Sequence, residues 1–232
     1  MRPRDIIQLV MVLTAILVMV YIATNPPHNA WKRAQKIRDI FGSVGSKKDQ
    51  LMARESTAAI LYKCGLPKKC PVNQFAFLIR SGAANVIGPK ICFDGQVIMS
   101  SVKNNIGSGL NIALINVATG KVEKIGDFNM YSGDVKELLK FMKDIKPGTV
   151  VLVASYDEPA TKMTDELRAM FVSLGSSMIK SVGFRDGWVF AGAVGIKQKT
   201  PFERHIKNDK AKNVYDGWPE MLEMGGCIPR RL

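Results

Sequence analysis

Four cysteines, Cys64, Cys70, Cys92 and Cys227, do most to limit what this 232-residue chain can fold into. All four follow an N-terminal segment that starts basic, Met1-Arg2-Pro3-Arg4, and continues as an apolar run from Ile6 to Ala23 broken by Gln8 and Thr14. Thr24, Asn25, Pro26 and Pro27 then stop any helix. This is the pattern of a secretory targeting segment, its apolar run at the short limit for crossing a bilayer. Tyr21-Ile22-Ala23 has a bulky residue where a cleavage site wants a small one, so a retained anchor stands beside the preferred reading of 1–24 as a cleaved signal peptide. Either way the rest of the chain enters an oxidising lumen. An even cysteine count there means two disulfides, with three connectivities open. Zinc is the rival reading, but C-x5-C followed by gaps of 21 and 134 residues lacks paired short spacings, and His28 and His205 are isolated.

The net charge of +13 suggests a polyanion. A secretory compartment excludes nucleic acid and leaves sulfated glycans and anionic cell surfaces, while the spread of the charges along the chain favours a solvated basic surface. Residues 25–61 combine Pro26-Pro27 with many lysines and arginines and only a loose apolar pattern, which reads as a basic stalk or linker. One globular domain is expected over 62–232, with no membrane span left once the signal is removed.

Within that domain, 75–81, 110–117, 149–155 and 187–195 are short apolar runs between turn residues, as strands should be, and 121–131 has strand-like spacing after a Thr119-Gly120 turn. Val135, Leu138, Leu139, Met142 and Ile145 recur at helical spacing behind Ser132, the expected N-cap. A second helix runs through Met163, Leu167, Met170, Phe171 and Leu174, capped by Thr161 or Thr164 and closed by Gly175. The stretch 200–226 shows little periodicity.

Catalytic parts are missing from this pattern. There is no G-x-S-x-G, and the histidines have no sequence-adjacent partner; Asn104 to Asn111, NNIGSGLN, lacks the Lys-Ser/Thr ending of a phosphate loop, so no cofactor is expected. Asp157 and Glu158 end a strand before Pro159, and adjacent carboxylates there point apart. Asp157 is the binding or loop-ordering candidate, with Arg185 as a distant partner; Glu158 is expected to face solvent.

The segments YKCGLPKKCP, SGAANVIGPKIC, VKNNIGSGLNIALIN, VLVASYDEPATKM, FRDGWVFAGA, PFERHIKN and YDGWPEMLEMGGCIP together resemble the secreted cytokine-like family of the interleukin-like epithelial–mesenchymal transition inducer (ILEI) and pancreatic-derived factor (PANDER). The resemblance implies an α+β fold, a compact β-β-α domain with two antiparallel sheets flanked by helices. It also implies the disulfides Cys64–Cys92 and Cys70–Cys227, the second fastening the weakly patterned tail to the domain start. The function implied is a secreted, extracellular, non-enzymatic signal acting on a cell-surface receptor. Because the same domain type serves elsewhere as a sugar-binding module, carbohydrate recognition is the alternative, with glycans as partners. Asp157 and Arg185 match its gripping positions and Trp188 is the candidate stacking face. Ser108 stands where the family usually has Arg, removing a bidentate donor set, and Asn129 replaces a common Asp.

Overall fold

A computed structural model describes residues 11, 13–17, 19–21 and 61–230. The chain divides into two units, Met1–Ala59 and Ile60–Leu232. In the first, the described residues are helical and exposed. The rest of the expected leader, and the expected stalk up to residue 60, lie outside the described residues. No helix among the described residues is long and apolar enough to cross a membrane.

The second unit has nine strands among its described residues: β1 (Gln74–Arg80), β2 (Lys90–Phe93), β3 (Gln96–Met99), β4 (Gly109–Asn116), β5 (Val122–Phe128), β6 (Thr149–Tyr156), β7 (Gly187–Ala193), β8 (Glu203–Ile206) and β9 (Glu223–Pro229). They form a four-stranded sheet, β3-β2-β1-β9, and a five-stranded sheet, β5-β4-β6-β7-β8. All their pairings are antiparallel. Helices α1 (Val135–Lys143) and α2 (Asp165–Ser173) cover the outer side of the five-stranded sheet. The observed class is therefore the α+β one that the resemblance implies.

Apolar patterning explains the layering. In β1, Phe75, Phe77 and Ile79 alternate into the core between the sheets, where they meet Leu152 and Ala154 of β6 and Val189 and Ala191 of β7. The intervening residues of the five-stranded sheet, such as Leu110, Ile112, Val151, Val153, Trp188 and Phe190, face the helices instead. This sheet is the middle layer, and that is why β4, β6 and β7 read as nearly unbroken apolar runs.

Helix α1 starts two residues later than the sequence suggests. Asn129 Oδ1 accepts the N–H groups of Tyr131 and Ser132, a local turn that occupies the expected cap, and the Asp134 side chain caps instead by accepting from Lys136 N–H. Thr164, one of the two expected caps, starts α2 by accepting from Leu167 N–H. Strands β2, β3, β8 and β9 are not apparent from periodicity. The β2–β3 turn is Asp94-Gly95, both at positive φ (46° and 89°), the geometry that hairpins with Asp-Gly favour.

Disulfides join Cys64 to Cys92 and Cys70 to Cys227. The second brings the segment before β1 onto β9, which pairs along the whole length of β1 from Gln74↔Pro229 to Arg80↔Glu223.

Candidate functional site at one end of the middle sheet

The start of β4, the end of β6 and the start of β7 meet at one end of the five-stranded sheet, with Gly109 opposite Tyr156. The turn before β4 is held by Asn111, a fully buried amide that accepts from Gly107 N–H (2.9 Å) and donates to Gly107 C=O (2.8 Å). This clamp presents Ser108, whose hydroxyl donates to Asp157 Oδ2 at 2.9 Å. A side chain on Gly107 would meet the Asp127 carboxylate at 2.2 Å and would have to displace that exposed side chain.

Asp157 and Arg185 line the same shallow depression, as the strand-end argument anticipates, yet no ion pair joins them among the described residues. What connects them is Trp218, delivered by the tail. Its Nε1–H donates to the Asp157 backbone C=O at 3.1 Å, and its ring lies 3.9 Å from the Arg185 guanidinium carbon. Phe184 stands 5.0 Å from the same carbon, so the cation contacts two aromatic rings. Asp157 and Arg185 both have φ of 59°. Asp tolerates this left-handed conformation better than Arg does, so the packing around Arg185 must hold it there. Gly217 contributes: its φ is 82°, and an added Cβ would lie 2.9 Å from Arg185 Nη1.

Two sequence expectations need correction here. Trp188 is not a stacking face. It is fully buried on the helix side of β7, stacked on Phe190 at 5.4 Å and edge-on to Phe171 at 5.2 Å, with Nε1 donating to Glu203. Glu158 does not face solvent either. It is buried, and its carboxylate accepts the N–H groups of Ala160 and Thr161, because the turn imposed by Pro159 aims those donors back at it.

The chain matches the family model described as "Interleukin-like EMT inducer" over residues 108–196, a span that begins at Ser108. It is 48% identical to Protein FAM3A of Homo sapiens over 229 residues, covering 99% of this chain and 96% of that one. The chain belongs to the FAM3 family. It is also 58% identical to Protein FAM3C of Danio rerio over 75% of this chain and 76% of that one, and 60% identical to Protein FAM3D of Homo sapiens over 72% and 75%. The family is cytokine-like.

In this FAM3 chain the remaining acid–base groups at the site order the backbone. The Tyr156 hydroxyl donates to Asn85 C=O at 2.9 Å, and its pKa is raised by burial and then by the Asp157 charge. His205 and Asp186 are both buried, with Nε2 and Oδ2 2.7 Å apart. Asp186 also accepts the N–H groups of Gly183 and Asn208. Among the described residues no hydroxyl or thiol hydrogen-bonds His205.

The Asp186 pair makes stability depend on pH. Burial alone would raise the carboxyl, but the bonds from His205, Asn208 and Gly183, with the His205 charge, outweigh it and hold the group below its ordinary 3.8. A depressed carboxyl contributes stability that is fully present above the unfolded value and lost as pH falls through the folded one. The stability advantage of wild type over Asp186→Asn should thus be larger at about pH 5 than below about pH 3.5, shrinking as the carboxyl protonates. Parallel melting curves at both extremes, with an unchanged gap, would contradict this.

Proposed function

We propose that this FAM3 chain is a secreted, extracellular signalling protein that acts on a cell-surface receptor and catalyses no reaction. The observation that carries the reading is the Phe184–Arg185–Trp218 stack. Phe184 is 49% exposed, Arg185 and Trp218 are half-buried, and all three are held in place by the turn geometry around them. Arginine and tryptophan presented rigidly at a surface are the residues that dominate protein–protein binding energy. The depression beside them has a volume of only about 10 Å³, roughly one water, which offers a substrate no enclosure. The two disulfides suit an oxidising compartment.

Purified protein applied to responsive cells, with proximity labelling of its neighbours, tests the reading. Trp218→Ala should lower potency about 30-fold, the loss that removing an interface anchor of about 2 kcal/mol produces, while the fold persists. Full potency of both Trp218→Ala and Phe184→Ala would exclude this surface as the receptor contact.

Carbohydrate recognition is the second reading, favoured by the grouping of Asp157, Arg185 and an exposed edge of Trp218 around one depression. A sugar would have to lie across the surface, because the depression is too small to admit one. The Ser108 hydroxyl already occupies one acceptor of Asp157. A glycan array on which both wild type and Ser108→Arg show no saturable binding would remove this reading. If binding occurs, Asp157→Asn should weaken it by about 1.5–3 kcal/mol.

A further inference from the structure

Lysines and arginines that are scattered along the sequence come together on the outer face of the four-stranded sheet. Phe75, Phe77 and Ile79 point into the core, so Gln74, Ala76, Leu78 and Arg80 point the other way. The segment leading into β1 lies across this face. Leu66 is buried there, and a side chain on Gly225 would meet Leu66 at 2.7 Å and Leu78 at 3.4 Å. A basic cleft opens at each end of β1.

The cleft at the Gln74 end has a volume of about 350 Å³ and is lined by Lys63, Lys68, Lys69 and Arg230. Its one carboxylate, Asp94, is paired with Lys63 at 2.8 Å. Arg230 borders the cleft and reaches to 4.1 Å from the centre of the Phe75 ring, which faces the core side of the sheet. The cleft at the other end, about 400 Å³, sets Arg80, Lys90 and Lys103 around an apolar floor of Ile87, Pro89 and Val97, with no acidic residue in its lining. Among the described residues none of these three cations makes an ion pair or a side-chain hydrogen bond, and Arg80 Nε is sealed from solvent without a partner. Glu223 neighbours Arg80 in the register but forms no ion pair with it. A buried donor left unpaired is costly, and the rest of this guanidinium lines the cleft, where an anion can supply partners that the protein does not.

We propose that this face binds a linear sulfated polysaccharide, with sulfate groups seated at Arg80, Lys90 and Lys103 and the chain running on to Lys68, Lys69 and Arg230. The ligand must be long, because the six-residue step from Gln74 to Arg80 separates the clefts by about 20 Å. It must be anionic at intervals, because seven cations face only Asp94 and Glu223. Nucleic acid fits less well: no aromatic side chain lines the Arg80 cleft to stack a base, and both disulfides sit on this face, a mark of oxidising compartments. The proposal uses none of the residues of the receptor reading, so either can fail alone.

The test titrates the full chain with a size-defined heparin oligosaccharide over a range of salt, beside a fully desulfated oligosaccharide of the same length and a single-stranded DNA oligomer. Wild type should bind the sulfated oligosaccharide with an affinity that falls steeply with salt. Lys90→Gln with Lys103→Gln, and separately Lys68→Gln with Lys69→Gln, should each weaken binding about tenfold. Lys136→Gln with Lys140→Gln, the same charge change on the exposed side of α1, should weaken it less than about twofold. Equal losses from the α1 variant would reduce the effect to net charge and overturn the proposal. So would equal binding of the desulfated oligosaccharide, DNA binding as tight as the sulfated chain, or no binding. Each cleft has its own variant, so one that failed to fold would leave the other to decide.

Discussion

Replacing Glu203 by alanine is expected to destabilise the domain by about 4 kcal/mol or more, within the range for breaking a buried charged network. Glu203 opens β8, is only 8% exposed, and its carboxylate accepts from five donors: the hydroxyls of Ser176 and Ser177, the N–H groups of Ser177 and Met178, and Trp188 Nε1. Removing it strands those donors beneath α2, each at a cost of about 1–3 kcal/mol where water cannot replace the carboxylate. The anchor also fixes the turn after α2 to the sheet and the indole of Trp188 to its place against Phe171. Glu203→Gln keeps the volume but turns an amide N–H₂ toward donors, so about half the loss should remain. Urea denaturation should show a lower midpoint with an unchanged slope. A loss under about 1 kcal/mol for the alanine variant would show that these donors find other partners.

The same network shows where the sequence was readable and where it was not. Strands β4, β6 and β7 could be recognised from their apolar runs, and α1 and α2 from their spacing, because a middle layer and its covering helices leave strong patterns. Strands β8 and β9 could not. ERHI has two polar residues whose burial depends on partners far away, and EMGGCIP carries two glycines that contribute no side chain to an alternation. Strand β9 exists because β1 supplies backbone partners and Cys70 a covalent tether. The Asp94-Gly95 turn was an available signal for β2 and β3.

At the site, Asp157 and Arg185 were legible since each borders a strand whose end could be found. Trp218 was not, because it arrives from a segment 61 residues beyond Asp157 and no local pattern points to it. Trp188 was misread for a different reason. In a strand buried on both faces, alternation separates Trp188 and Phe190 from Val189 but does not say which set meets solvent, and here neither does. The basic face was invisible in sequence because its cations come from the segment leading into β1, two sheet positions, a loop and the residue after β9.

Removing the Cys70–Cys227 bridge is expected to cost more than removing Cys64–Cys92. The two close separations of 157 and 28 residues. In the chain-entropy model those loops correspond to about 5 and about 3.5 kcal/mol of stabilisation through the unfolded state. The structural consequence should be unequal too. Cys64–Cys92 ties the entering segment to β2, a strand already paired on both sides, whereas Cys70–Cys227 holds β9, an edge strand paired on one side with β1 alone. Cys70→Ala with Cys227→Ala should therefore fray β9 before the rest of the domain. Amide exchange should rise from Met224 to Ile228 and stay slow in β4 and β6, which lie inside the five-stranded sheet. Fraying would also displace Arg230 from Phe75, so heparin affinity should fall in this variant without any cation being removed. If urea denaturation finds the two double variants equally stable, loop length does not govern these bridges. If β9 amides stay protected in the Cys70/Cys227 variant, backbone pairing with β1 suffices to hold the strand, and the tether acts on the unfolded chain alone.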